Sequence, residues 1–132
     1  MWTHPRTDAE IIAIAEAWVD DLARADYRQA YSRTDHDPNY DWTPSLIQAV
    51  VAGYGLPEPH RSGEIFKVTD RNAATGHQHQ KTVERNEIAD ASLAEVWYDL
   101  PLNGEWSDRT ATSRVSQRDG RWYIVLEQIH VF

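Results

Sequence analysis

In the first half of the chain the apolar residues recur at helical spacing. Ile11, Trp18 and Leu22, with Ile14 or Ala15 between them, predict one buried face of a helix running from about Asp8 to Arg24. Thr7-Asp8-Ala9-Glu10 ahead of it reads as a capping box, Thr7 at the N-cap and Glu10 reaching back. Asp26 to Ser32 predicts a short second helix, with Tyr27 and Tyr31 stacked at i, i+4. The polar stretch Thr34 to Tyr40, with Pro38 inside it, reads as a loop. Thr43-Pro44 opens a third helix, since proline suits the first helical position. Its apolar stripe is Leu46, Ile47, Val50, Val51 and Tyr54. Gly53 and Gly55 end it, and Pro57 and Pro59 prevent its return.

After Gly63 the period changes to two. Glu64 to Thr69 predicts a first strand, Asn72 to Gly76 a turn and His79 to Ile88 a second strand. A connection at Ala89 to Ala91 leads into three long strands, Ser92 to Leu102, Glu105 to Gln117 and Trp122 to Phe132. Asn103-Gly104 and Asp119-Gly120 are strong hairpin turns. The fold class expected is α+β, with N-terminal helices packed on a curved antiparallel sheet, in one domain spanning residues 1–132.

The two turns predict a register. With a two-residue loop at Asn103-Gly104, Tyr98 faces Arg109, Val96 faces Ala111 and Asp99 faces Asp108. The second hairpin sets Arg109 against His130, Ala111 against Gln128 and Val115 against Ile124. Side chains alternate along a strand. One face then carries Val96, Tyr98, Leu100, Arg109, Ala111, Val115, Trp122, Ile124, Leu126, Gln128, His130 and Phe132, and should lie under the helices. The other carries Glu95, Trp97, Asp99, Trp106, Asp108, Thr110, Thr112, Tyr123, Glu127, Ile129 and Val131. A single bulge would swap the faces beyond it.

Composition narrows the function. The 132 residues include six Trp and six Tyr but two Phe and one Met, so the core must use aromatics with polar handles. With no cysteine, disulfides and thiolate metal sites are excluded. The net charge of −8, without a basic block, disfavours nucleic acid and anionic membranes as partners and allows a cationic protein. Met1 to Arg6 lacks a signal peptide's apolar run and no stretch is long and apolar enough for a membrane helix, so the expected location is the cytoplasm. There is no Gly-rich phosphate loop, no Ser or Cys nucleophile motif and no HExxH, so no cofactor or metal is expected. Asp35-His36-Asp37 and the His77, His79 pair have metal-ligand chemistry, but sequence neighbours in a polar loop rarely hold one ion, and His77 and His79 lack a visible third ligand.

Two constellations remain. Tyr98, Arg109 and His130 form a polar row on the apolar face, with Gln128 beside it. This row is a candidate pocket for a small anionic ligand, with Arg109 binding a carboxylate and His130 titrating. Trp97 and Trp106, beside Asp99 and Asp108 on the other face, are candidate anchors for a homodimer or a protein partner. Opposed Asp99 and Asp108 would need a cation, a shared proton or a bulge.

The order of elements resembles the nuclear transport factor 2-like cone. Helix one followed by Ala25-Asp26-Tyr27-Arg28-Gln29-Ala30-Tyr31 is similar to that superfamily's opening. The run from Tyr98 to Asp108 with the ending Ile129-His130-Val131 resembles a small uncharacterised bacterial family. Fold membership alone does not imply function. The reading that follows is a non-enzymatic binding protein, of the immunity type that masks a basic partner. The alternative is a small-molecule binder, or a SnoaL-like or ketosteroid isomerase-like enzyme, using the cone interior.

Overall fold

The computed structural model describes residues 7–54, 56, 58–86, 90–118 and 121–131, without the side chains of 86, 90–93, 117, 118, 121, 130 and 131. Among these residues three helices come first: α1 (Asp8–Ala23), α2 (Tyr27–Arg33) and α3 (Pro44–Ala52). Four antiparallel strands follow in chain order across one sheet: β1 (Lys81–Asn86), β2 (Asp90–Leu102), β3 (Glu105–Arg118) and β4 (Arg121–Val131). The chain is thus an α+β protein. None of the described helices is long and apolar enough to cross a membrane.

The helix signals act as written. The Thr7 hydroxyl accepts from the Glu10 N–H while the Glu10 carboxylate accepts from the Thr7 N–H, which completes the capping box. Thr43 caps α3, with Pro44 in its first turn. Tyr31 stacks on His36, with ring centroids 3.9 Å apart. The carbonyl oxygens of Leu56 and Glu58 press on Gly53 so closely that a Cβ there would lie 2.0 and 2.1 Å from them.

One face of the sheet is closed by the helices. Ile11 packs on Ala94, Val96, Val115, Trp122 and Ile124. Further along α1, Trp18, Val19 and Leu22 join Ile47, Val50 and Val51 of α3 over Tyr98, Leu100, Ala111, Leu126 and Ile129. A fully buried aliphatic side chain such as Ile11 or Leu22 contributes about 1.5–3 kcal/mol.

The first expected strand does not form. Between residues 64 and 69 only Val68 bridges to Leu102. The neighbouring Pro101 has no N–H to extend a ladder, and the Lys67 N–H goes to the Asn103 side chain instead, at 2.9 Å. Likewise β1 starts at Lys81 rather than His79, because the His79 and Gln80 N–H groups bond the Asp99 carboxylate at 3.0 and 2.9 Å. The stretch 87–89 and the turn residues Asp119 and Gly120 lie outside the described residues, though β3 ends at Arg118 and β4 begins at Arg121.

Two bulges rewrite the register. Asn103 (φ 50°) and Gly104 (φ 86°) form the hairpin turn with both dihedrals positive, and Leu102 and Pro101 pair with Glu105 and Trp106 as expected. Beyond them, Ser107, Asp108 and Arg109 stand opposite Leu100 alone. The Ser107 hydroxyl stabilises this bulge by donating to the Leu100 carbonyl at 2.7 Å and accepting from the Arg109 N–H at 3.1 Å. Tyr98 therefore pairs with Ala111, and Asp99 with Thr110 rather than Asp108. A second bulge leaves Glu127 unpaired between Leu126 and Gln128. Val115 keeps Ile124, but Arg109 pairs with Val131 and His130 with Thr110. The bulge exchanges the faces beyond it: Ile129 is buried in the core and Gln128 is exposed.

Candidate functional site

The row of Tyr98, Arg109 and His130 is dispersed by the bulges. The Tyr98 hydroxyl is spent on Glu16 of α1, at 3.1 Å. Arg109 and His130 are no longer cross-strand partners, and the His130 side chain lies outside the described residues. Gln128 lines the outer face. The carboxylates of Asp26 and Asp35 do not serve Arg109 either. Asp26 caps α2 through the Gln29 N–H, and Asp35 accepts from the Ile124 N–H on the edge of β4.

The other pair is divided as well. Asp99 is 2% exposed and accepts from the Thr110 hydroxyl at 2.8 Å and from two backbone N–H groups, so it clips the 78–80 segment to the sheet. Asp108 is exposed and accepts from the Tyr54 hydroxyl. Neither carboxylate needs a cation. Trp106 packs against the core, edge-on to Tyr98 with centroids 6.5 Å apart, and does not adjoin Trp97. His36 bonds the Tyr31 carbonyl at 2.9 Å and Asp37 pairs with Arg114 at 3.1 Å. Among the described residues no group of three His, Asp or Glu is placed to hold a metal ion.

What the fold does assemble lies on the sheet face away from the helices. The pairing brings Glu84, Glu95 and Arg114 into one cross-strand row, and Thr82, Trp97, Thr112 and Gln128 into the next. An open cleft of about 340 Å³ lies here, lined by Glu95, Trp97, Thr112, Glu127 and Gln128. The bulge brings Glu127 beside Glu95. The Tyr40 hydroxyl donates to Glu127 at 2.9 Å, and Arg114 stands 3.9 Å from the same oxygen.

The electrostatics of this cleft are unfavourable. Burial, a hydrogen bond shared with Glu127 and the charges of Glu127 and Glu84 push the Glu95 carboxyl up to about 7, against a smaller pull from Arg114. An ionised Glu95 would meet the Glu127 and Glu84 charges at close range, which favours its protonated form.

No protein-family model matches this chain, and no curated protein or solved structure matches it at a significant level. The functional reading accordingly rests on the geometry of the cleft.

Strand alternation places Glu95 and Glu127 on this face, but no motif marks them out. Their proximity depends on the Glu127 bulge, which leaves no signature in the hydrophobic pattern. A weaker signal did exist: the turn-derived register, carried two residues past Trp97, sets Glu95, Thr112 and Glu127 in one row.

Proposed function

We propose that this protein is a non-enzymatic binding module that receives a Lys- or Arg-bearing segment of a partner protein on its outer sheet face. The observation that carries this reading is the Glu95 and Glu127 pair, held side by side against Glu84 and next to Trp97. Like charges placed together on a sheet cost stability, and a fold that retains such a conflict at an open cleft stores free energy that a cation releases. An ammonium or guanidinium group between the two carboxyls would draw Glu95 into its ionised form. The indole face of Trp97 offers the same group a cation–π contact. The overall charge of −8 steers a basic partner toward the molecule. This is the chemistry with which an immunity-type protein would mask a basic partner.

The order of three helices followed by a four-strand antiparallel meander supports the further reading that the architecture is a nuclear transport factor 2-like cone. Under that reading the bound face is the outside of the cone.

Calorimetric titration with a short Arg/Lys-rich peptide tests the function at moderate salt. Wild-type protein should bind, and Glu95→Gln and Trp97→Ser should each weaken binding by about tenfold, as expected for a central contact. Glu105→Gln, which removes an exposed charge beside the hairpin turn, is the control. Weakening by Glu105→Gln as large as that by Glu95→Gln, with Trp97→Ser binding like wild type, would reduce the effect to net charge and contradict a site. Light scattering on the same samples separates a homodimer through this face, which would lose mass on Trp97→Ser without any peptide.

A further inference from the structure

A second cleft, of about 510 Å³, shares no lining residue with the first. It is bounded by Gly53, Tyr54, Leu56, Glu58, Pro59, His60, Arg61 and Arg109. Four observations converge on it. The Arg109 guanidinium lies flat over the Tyr54 ring, with its carbon 4.1 Å from the centroid. Its Nε is buried and has no hydrogen-bond partner among the described residues, and no carboxylate there comes within 4.0 Å of it. Tyr54 holds a left-handed backbone (φ 57°), which is strained for a bulky side chain. That strain is maintained by Gly53, packed under two carbonyls, and by the bond from the Tyr54 hydroxyl to Asp108.

The remaining walls supply complementary donors. The Ser62 N–H donates to His60 Nδ1 at 3.2 Å, so Nδ1 is the acceptor nitrogen and a neutral ring carries its proton on Nε2. His60 is held edge-on to both Tyr54 and Phe66, at 5.8 and 5.4 Å. Arg61 adds a second guanidinium. Leu56, 63% exposed, and Pro59 supply an apolar wall.

We propose that this cleft binds a small organic carboxylate, its oxygens on the Arg109 guanidinium and its apolar body against Tyr54, Leu56 and Pro59. An arginine fork matches a planar carboxylate bidentately. A guanidinium whose buried Nε–H has no hydrogen-bond acceptor and no carboxylate within ion-pair distance among the described residues is costly to maintain, and a ligand carboxylate on the guanidinium offsets that cost. Glu58 lines the same cleft and favours a monoanion over a dianionic phosphate. The ligand-binding arginine is the one the sequence singled out, but its companions are Tyr54 and His60 rather than Tyr98 and His130.

The test is NMR of the arginine side-chain Nε–H signals during titration with sodium benzoate, with inorganic phosphate and sodium chloride in parallel. Benzoate should shift the Arg109 Nε–H signal saturably, phosphate should act about tenfold more weakly, and chloride should not saturate. Arg109→Gln, which removes that signal, should abolish the saturable benzoate shifts of the His60 and Arg61 backbone amides, the readout used for both variants. Leu56→Asp, an exposed change at the apolar wall that leaves the core intact, should weaken benzoate about tenfold without altering Tm. No saturation with benzoate, or a benzoate response unchanged in both variants, overturns the site. Tighter binding of phosphate than of benzoate overturns the carboxylate assignment.

Discussion

Two glutamates on opposite faces of the sheet show how differently the fold treats the same side chain. Glu16 of α1 reaches the helix-covered face and accepts from the Tyr98 hydroxyl at 3.1 Å, Lys81 at 2.9 Å and Arg71 at 3.3 Å. Burial pushes its carboxyl up, but the Lys81 and Tyr98 hydrogen bonds and the Arg71 charge outweigh it, and the group is held below its ordinary range. Glu95 on the other face meets Glu127 and Glu84, with Arg114 as its cross-strand neighbour, and is pushed up to about 7. The covered face satisfies its carboxylate and the open face does not. A protein selected for stability alone would treat both alike, and the difference is what the proposal for the open face rests on.

The sharpest way to break this contrast is Asp99. It lies on the open side yet is satisfied three times over, so it belongs with Glu16 in kind. Asp99→Ala would leave the Thr110 hydroxyl and the His79 and Gln80 N–H groups without their acceptor. It should cost about 3 kcal/mol in urea unfolding. A loss under about 1 kcal/mol would mean that the clip over residues 78–80 holds nothing.

Glu16→Gln should cost less, about 1–2 kcal/mol at pH 7, because its partners are half-exposed. Its folded pKa is depressed, so its stabilisation is present above the ordinary 4.5 and is lost as pH falls through the folded value. The variant and wild type should therefore converge in acid, as thermal unfolding across pH would show.

Glu95→Gln should have the smallest effect and the opposite sign. With a folded pKa of about 7 above the ordinary 4.5, Glu95 keeps a proton in the folded chain that the unfolded chain has already released. Its favourable contribution is fully present below pH 4.5 and is lost as pH rises through 7. Glu95→Gln should then stabilise the protein at pH 8 by about 1 kcal/mol, after allowance for solvent screening, and change little at pH 5. Destabilisation at pH 8 would show that Glu95 has a favourable partner there.

Much of the scaffold was legible from local chemistry. Capping boxes, a proline at a helix start and an Asn-Gly turn act through adjacent atoms, and α1, α3 and the β2–β3 hairpin follow them closely. Ile11, Trp18 and Leu22 are buried as their spacing requires. Where a bulge intervenes the reading fails, because one extra residue reverses the faces without altering the pattern that predicts them. Gln128 and Ile129 exchanged faces in this way, and Asp99 lost Asp108 as its partner through the Ser107 bulge. The candidate clefts were the least legible. In the folded chain Glu95 meets Glu127 across a shifted register and a bulge, not as members of one row, and Arg109 meets Tyr54 only through a tertiary contact between β3 and the end of α3.

The proposal for the open face stands on one property, a Glu95 carboxyl whose pKa is raised by burial and by Glu127 and falls when a cation docks. Carbon-detected NMR of the side-chain carboxyls reads this directly. In the free protein Glu95 should titrate at about 7, and in the presence of saturating Arg/Lys-rich peptide its midpoint should fall toward the ordinary glutamate range. A Glu95 that titrates near 4.5 in the free protein, or near 7 whether or not the peptide is bound, would contradict the account.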